Sequence, residues 1–387
     1  MEKITSYFTF LSCSKKSELS YYIYFTILTI TQFIPWVSNV KMLLILLSLP
    51  FLIYKFMVTY YSRKELMSIL LIGIIIIVST YLSRREGLLI TFATIVGFKD
   101  IKIRNVLKLY LLIGGICFLS VSIYYLFLSS ETTSKESMRY FFSIPIMIKK
   151  NTLGYAHANL TYGMLSSLLF CYCYLQFSKM NIKRMLVILV IGLFYFYLTF
   201  SRTGLIILVS GLLLCYLMNH RPSKVYSWIP IVMIVTSFIT TYAHKYFPNK
   251  ILESFNLLLS NRLMLGHEFI DFFEPRLFGQ YVDDITGYAG YYLKCDNSFL
   301  LTLSCYGILI FIVLCILTYG ITRKKFLAQD VFIISIFYIY GFAESFFLTI
   351  TVNFSLLLFS SFLYKCNVES AQYDPIHAYR FFLKERS

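Results

Sequence analysis

Two arginine-bearing tetrapeptides, Ser83-Arg84-Arg85-Glu86 and Ser201-Arg202-Thr203-Gly204, each separate a pair of apolar stretches. A guanidinium held in so short a turn can fork onto phosphate oxygens where water is scarce. One that merely snorkels to water would show the same spacing. Asn261-Arg262, His267-Glu268, Arg276 and Cys295-Asp296-Asn297 fall in one longer polar segment. Asp296 stands out by position, because a carboxylate at the mouth of an apolar stretch shares less water than one in an open loop. His157, in Gly154-Tyr155-Ala156-His157-Ala158-Asn159, opens another stretch and suits a proton acceptor, a helix cap or an interfacial polar group. Glu344 lies in Tyr340-Gly341-Phe342-Ala343-Glu344-Ser345, where an acid has to be close to a helix end or paired. Together these residue types offer anion binding by arginine and proton transfer by a carboxylate or imidazole.

The elements that position them are membrane helices. Of 387 residues, 58% are hydrophobic and only 14% charged, against roughly 25% charged in soluble domains. Apolar runs recur from Ser20 almost to Tyr364, near the ~20 residues that cross ~30 Å of hydrocarbon as a helix. Unpaired backbone groups are too costly in lipid, and barrel strands would be shorter and alternating. The expected fold is therefore all-α, one polytopic integral membrane domain over 1–387 with about 12 transmembrane helices. Spans are expected near 20–37, 40–58, 66–82, 86–98, 105–128, 157–178, 185–200, 203–219, 225–242, 297–320, 330–347 and 349–364. The 86–98 span is the shortest, and a re-entrant turn there would reverse the orientation of the first three.

Lysines and arginines orient the chain, since cytoplasmic loops carry an excess of them. The segments 1–19, 55–65, 99–108, 179–184, 219–224, 322–325 and 365–387 hold 22 of the 35. They alternate through twelve spans to place both termini in the cytoplasm, 365–387 as a cytoplasmic tail, with a nearly neutral outer face. Lys3, Lys15 and Lys16 precede the first apolar run without a small-residue cleavage site, so that run is expected to stay as an anchor. Two external loops are long, 129–155 and, between spans 9 and 10, 243–296. Within the second, Phe255 to Phe273 has helical spacing with Arg262, Glu268 and Asp271 interposed, which predicts a helix lying on the outer face. The net charge of +16 has no extramembranous basic domain to form a nucleic-acid footprint. Nine cysteines are scattered without a CxxC pair, suggesting neither a disulfide framework nor a zinc site.

Residues 150–320 resemble the Wzy-type polysaccharide polymerases, of the superfamily that includes the O-antigen ligases. Gly154-Tyr-x-His-x-Asn159 opening a span, Ser201-Arg202-Thr203 at an outer turn, and then Asn261-Arg262, Leu277-Phe278-Gly279, Asp296-Asn297-Ser298-Phe299-Leu300 and Tyr306-Gly307-Ile308 carry the likeness by their order. In the ligases a histidine precedes the asparagine that opens the post-loop span; here that residue is Asp296, which favours polymerase. The resemblance implies a metal-independent glycosyltransferase with no cofactor, in the bacterial cytoplasmic membrane, acting outside the cytoplasm for O-antigen or capsule assembly. Its substrates would be undecaprenyl-diphosphate-linked oligosaccharides, and its partners membrane lipids, a flippase and chain-length regulator proteins. On this basis Arg202 and Arg262 are expected to bind the leaving diphosphate, with Arg84 and Arg85 auxiliary and Asp296 or His157 as base. Asn159, Ser201, His267, Arg276 and Asn297 are expected to contact substrate. A ligase, a flippase for lipid-linked oligosaccharides, or a structural scaffold or receptor are the rivals. A transporter, however, concentrates polar groups at the bilayer midplane between repeated halves, whereas these residues gather toward one face.

Overall fold

The structure is a computed structural model that describes residues 2–129, 134–141, 144–282 and 294–364. The expected tail, 365–387, and parts of both long loops lie outside the described residues. The chain is predominantly helical. In order it forms α1 (Glu2–Phe33), α2 (Ser38–Val58), α3 (Arg63–Ser83), α4 (Gly87–Gly97), α5 (Ile103–Ile123), α6 (Ala158–Leu175), α7 (Ile182–Thr199), α8 (Arg202–His220) and α9 (Ile229–Tyr246). Then come α10 (Lys250–Leu258), α11 (Arg262–Phe272), α12 (Ser298–Leu301), α13 (Ile308–Arg323), α14 (Ala328–Ala343) and α15 (Ser360–Leu363). Among the described residues, six helical stretches are long and apolar enough to cross a membrane: Ser38–Val58, Arg63–Ser83, Ile103–Leu128, Ile182–Thr199, Arg202–His220 and Lys224–Tyr246. Four more, among them α4, α13 and α14, are apolar but shorter. The long α1 is not among the six, its apolar half being diluted by Ser20, Tyr21, Tyr22, Thr26, Thr29 and Thr31.

Among the described residues, one segment forms strands. Within the first long loop, β1 (Ser134–Phe141) pairs antiparallel with β2 (Ile144–Asn151), from Phe141 opposite Ile144 to Ser134 opposite Asn151. Its sequence signal is the alternation of Ile144, Ile146 and Ile148, a strand period inside a stretch otherwise polar enough to pass for loop.

Described contacts divide the chain into two compact units. The first holds residues 2–60 and 97–219. Here α1 packs on α2 and α5, and α5 on α6. Its core is aromatic: Phe33 meets Tyr110 edge-on at 5.6 Å, and Phe118 lies against Tyr155 and Tyr195. The hydroxyls these rings bring inside are paired, Tyr110 with Ser167 at 2.6 Å and Tyr155 with the Phe33 carbonyl at 2.6 Å, as a buried tyrosine requires. Asn181 caps α7 by accepting from the Arg184 amide, and Phe200 ends it in the left-handed conformation, φ 49°.

The second unit holds residues 61–96 and 220–364. A reciprocal Ser62–Glu65 capping box starts α3. Around α9 pack α11, α13 and α14. The expected span at 297–320 is not one helix: α12 runs into a π-turn at Thr302–Tyr306, breaks at Gly307 with φ 94°, and resumes as α13. The expected span at 349–364 is likewise irregular, a 3-10 turn at Phe354–Phe359 leading into α15. Carbonyls freed at these breaks are met by side chains, as the membrane interior demands. Ser79 donates to the Tyr306 carbonyl at 2.6 Å, Thr91 to Leu348 at 2.6 Å and Asn353 to Phe347 at 2.8 Å. The expected helix over 255–273 is two, because Ser260 and Asn261 are left-handed at φ 61° and 64°. The Asn256 Oδ1 accepts from the Leu263 and Met264 amides at 3.1 and 3.3 Å, fixing the start of α11.

Candidate functional site

In the second unit the polar residues converge on Arg262. It begins α11 at 8% exposure, and its guanidinium has three acceptors around it. Nη2 lies 2.8 Å from Glu344 Oε1 and 3.3 Å from Asp296 Oδ2, while Nη1 donates to the Ala343 carbonyl. Glu344 is the C-cap of α14 and is 2% exposed, so it is both at a helix end and paired. Asp296 is more open, and its second oxygen faces Lys294 Nζ at 3.8 Å. Two cations and two carboxylates are thus formally neutral together. Burial opposes the Arg262 charge, but Glu344 and Asp296 outweigh it and hold the guanidinium above its ordinary pKa.

The residues after Asp296 build the floor. Asn297 Oδ1 accepts from the Phe299 and Leu300 amides at 3.0 and 3.2 Å, so its side chain serves as the cap of α12. Ser298 Oγ donates to the Glu344 carbonyl and accepts from the Phe347 amide at 3.2 Å. Phe299 is fully buried and stacks on Tyr338. One five-residue motif therefore supplies a carboxylate, a cap, a strap holding the Glu344 backbone, and core packing.

Arg84, left-handed at φ 54°, lies over the Tyr281 ring at 4.9 Å, within cation–π range. Arg85 Nη2 reaches the Val282 carbonyl at 3.4 Å. Arg276 is exposed, and it is its backbone that holds: the Arg276 carbonyl accepts from the Ile308 amide at 3.0 Å, the Leu277 carbonyl from Leu309 at 3.1 Å, and the Cys305 carbonyl from Gln280 at 3.0 Å. His267 stacks on His244 at 5.6 Å, and His244 Nε2 meets Glu253 at 3.1 Å. Burial, then His244 and Lys245, push the His267 imidazole below its ordinary 6.5 against the pull of Asp271.

The first unit carries its own cluster. His157 is the N-cap of α6, its Nδ1 accepting from the Leu160 amide at 3.0 Å, which is the cap among its three expected roles. Ser201 Oγ donates to Asn159 Oδ1 at 3.0 Å, tying the start of α8 to the start of α6. Gly204 is required here, since a Cβ would lie 2.3 Å from the Tyr162 ring, which is itself held by its hydroxyl on the Gly192 carbonyl at 3.1 Å. Arg202 opens α8, half-buried, with no side-chain partner among the described residues.

A common device positions three of these arginines. Arg84 is itself left-handed and precedes Arg85; left-handed Phe200 precedes Ser201-Arg202; left-handed Ser260 and Asn261 precede Arg262. Each left-handed non-glycine residue costs of order 1–3 kcal/mol. In two cases the arginine then occupies the first residue of a helix, where the helix dipole repels a cation by about 0.3–1 kcal/mol. An anion close by offsets that repulsion. Arg262 has Glu344 and Asp296; Arg202 has no side-chain partner among the described residues. Lys294, Tyr281 and His244 have no distinguishing sequence signal, being an ordinary loop lysine, an interfacial tyrosine and a histidine at a helix end, whereas Ser298 lay within a motif of the resemblance without a role of its own.

No family model, curated protein or solved structure matches this chain.

Proposed function

We propose that this protein is a bacterial polysaccharide polymerase of the cytoplasmic membrane. It would join undecaprenyl-diphosphate-linked oligosaccharide repeat units into a longer glycan on the external face, with twelve spans and both termini cytoplasmic. The motif order given above supplies the substrate class. The observation that carries the reading is the placement of Arg202 and Arg262 at helix N-termini against the dipole. Two such cations, fixed by strained turns, are preorganised for anionic groups. In the second unit Arg262 would stabilise charge developing on a leaving diphosphate. Asp296, within reach of both Arg262 and Lys294, would accept the proton of the attacking hydroxyl. Glu344 would hold Arg262 in place. In the first unit Arg202 would bind phosphate through a guanidinium not engaged by any described side chain, and His157, whose Nδ1 is taken by the Leu160 amide, would serve as a cap and leave the base to Asp296.

Arg262→Ala, Asp296→Asn and Arg202→Ala, each expressed at normal level in the membrane, should accumulate single-repeat lipid-linked intermediate and lose polymer on glycan gels. A positioned base contributes ~10²–10⁴ in rate, so Asp296→Asn should fall by at least that lower bound. Normal polymer length in Arg202→Ala or Arg262→Ala refutes the assignment. Loss of attachment with chain length retained identifies a ligase instead.

A further inference from the structure

The first unit also carries a groove whose lining includes none of the residues assigned above. Along α5, Arg104, Lys108, Leu111, Gly115 and Leu119 follow helical spacing on one face, as i, i+4, i+7, i+11 and i+15 positions do. With Tyr172, Leu175 and Gln176 at the end of α6 they line a groove of about 500 Å³. The groove is polar at one end only. Arg104 and Lys108 are exposed and have no side-chain partner among the described residues, and the Tyr172 and Gln176 side chains lie beside them along the same groove. Beyond Lys108 the wall is apolar, and Leu112, Ile116 and Leu119 are 55–60% exposed. Gly115 leaves the middle of the groove open, since a Cβ there would meet nothing within 4 Å.

The dimensions fit one leaflet. From Lys108 to Leu119 is eleven residues, about 16 Å at 1.5 Å per residue, and half of a ~30 Å hydrocarbon core is ~15 Å. Two cations at one end of an apolar trough of single-leaflet depth match a phosphate headgroup above an acyl chain. We infer that this groove binds an anionic glycerophospholipid in the leaflet at the basic end of α5. Charge complementarity favours an anionic headgroup over a zwitterionic one: each cation near the surface is worth about fivefold for an anionic lipid, so the pair is worth about thirtyfold. On the orientation proposed above this is the cytoplasmic leaflet, and the inference rests on the membrane reading rather than on the polymerase.

The test uses the purified full chain in a zwitterionic detergent. Dioleoylphosphatidylglycerol and dioleoylphosphatidylcholine are titrated separately, and retained lipid is read by native mass spectrometry alongside the thermal unfolding midpoint. The wild type should retain phosphatidylglycerol at about thirtyfold lower concentration than phosphatidylcholine. The Arg104→Gln/Lys108→Gln variant should bring the two lipids close to parity, and Gly115→Leu, which fills the trough, should lose both. Equal retention by the wild type, or an undiminished preference in the double variant, overturns the inference. So does a dimer that dissociates in that variant, which would give the groove to a second copy. The readout needs neither glycan synthesis nor a known orientation, so it fails or succeeds separately from the proposed function.

Discussion

Arg262 keeps its charge at 8% exposure because two carboxylates and a carbonyl surround it. Removing one partner of a buried pair typically costs ~3–5 kcal/mol, whereas replacing both by apolar groups is often close to neutral. Glu344→Ala should therefore lower thermal stability in detergent by about 3 kcal/mol, and the double variant Glu344→Leu/Arg262→Met should recover most of it. If the double variant is no better than the single one, the pair is not what holds α11 to the end of α14. His267 gives a pH signature. Its folded pKa lies below 6.5 through burial and the nearby His244 and Lys245, partly countered by Asp271. The unfolded chain thus binds the proton first as pH falls, and stability drops below about pH 6.5. His267→Gln should flatten that part of the stability–pH curve. Glu344 was legible in the sequence as an acid inside an apolar run and Asp296 as a carboxylate at the mouth of one, while Arg262, in a polar segment, stood out through the motif order of the resemblance. Their meeting was not legible, since Arg262 and Glu344 are 82 positions apart and no local pattern connects them. His157 was legible as one of three roles, and only the Leu160 amide on its Nδ1 selects the cap.

At the scale of elements, two motifs that looked like separate signatures are two sides of one backbone contact. A Cβ on Gly279 would lie 2.1 Å from the Cys305 carbonyl oxygen, and one on Gly307 would lie 2.2 Å from the Gly279 amide; both glycines have positive φ, 84° and 94°. Leu277-Phe278-Gly279 and Tyr306-Gly307-Ile308 thus dock the end of the long loop onto the break before α13. Gly307→Ala or Gly279→Ala should destabilise by about 3 kcal/mol or more, read as lost expression or a lowered unfolding midpoint. Gly87→Ala, where nothing lies within 4 Å, should be close to silent. Hydropathy located helical elements in all the expected stretches, because length and apolarity are local properties. It missed the break at Gly307, because what makes that break tolerable is the Ser79 hydroxyl, 227 positions away, and it missed the one around Asn353, where a side-chain amide bonds the Phe347 carbonyl, because the stretch stays apolar throughout. It missed the β1–β2 hairpin because only the three isoleucines of β2 carry a strand period.

For the whole molecule, the charge asymmetry makes a topological prediction. In a background with the native cysteines replaced, Lys183→Cys should react with an impermeant thiol reagent only after cells are opened, and Lys250→Cys should react in intact cells. The opposite pattern would invert the chain and move Arg202 to the cytoplasmic side, ending the proposed function. The second unit is discontinuous: α3 and most of α4 belong to it, but the rest begins only at residue 220. Ser79 and Thr91 therefore leave the ribosome long before Tyr306 and Leu348, their partners 227 and 257 positions away. At 5–20 residues per second they wait roughly ten seconds or more. In that interval the two hydroxyls sit in a helix pair whose counterpart has not been made, for a time set by translation rather than by folding. Slowing or pausing synthesis between residues 97 and 305 extends the exposure of that pair to membrane proteases, a vulnerability that belongs to the order of manufacture and disappears in the finished protein.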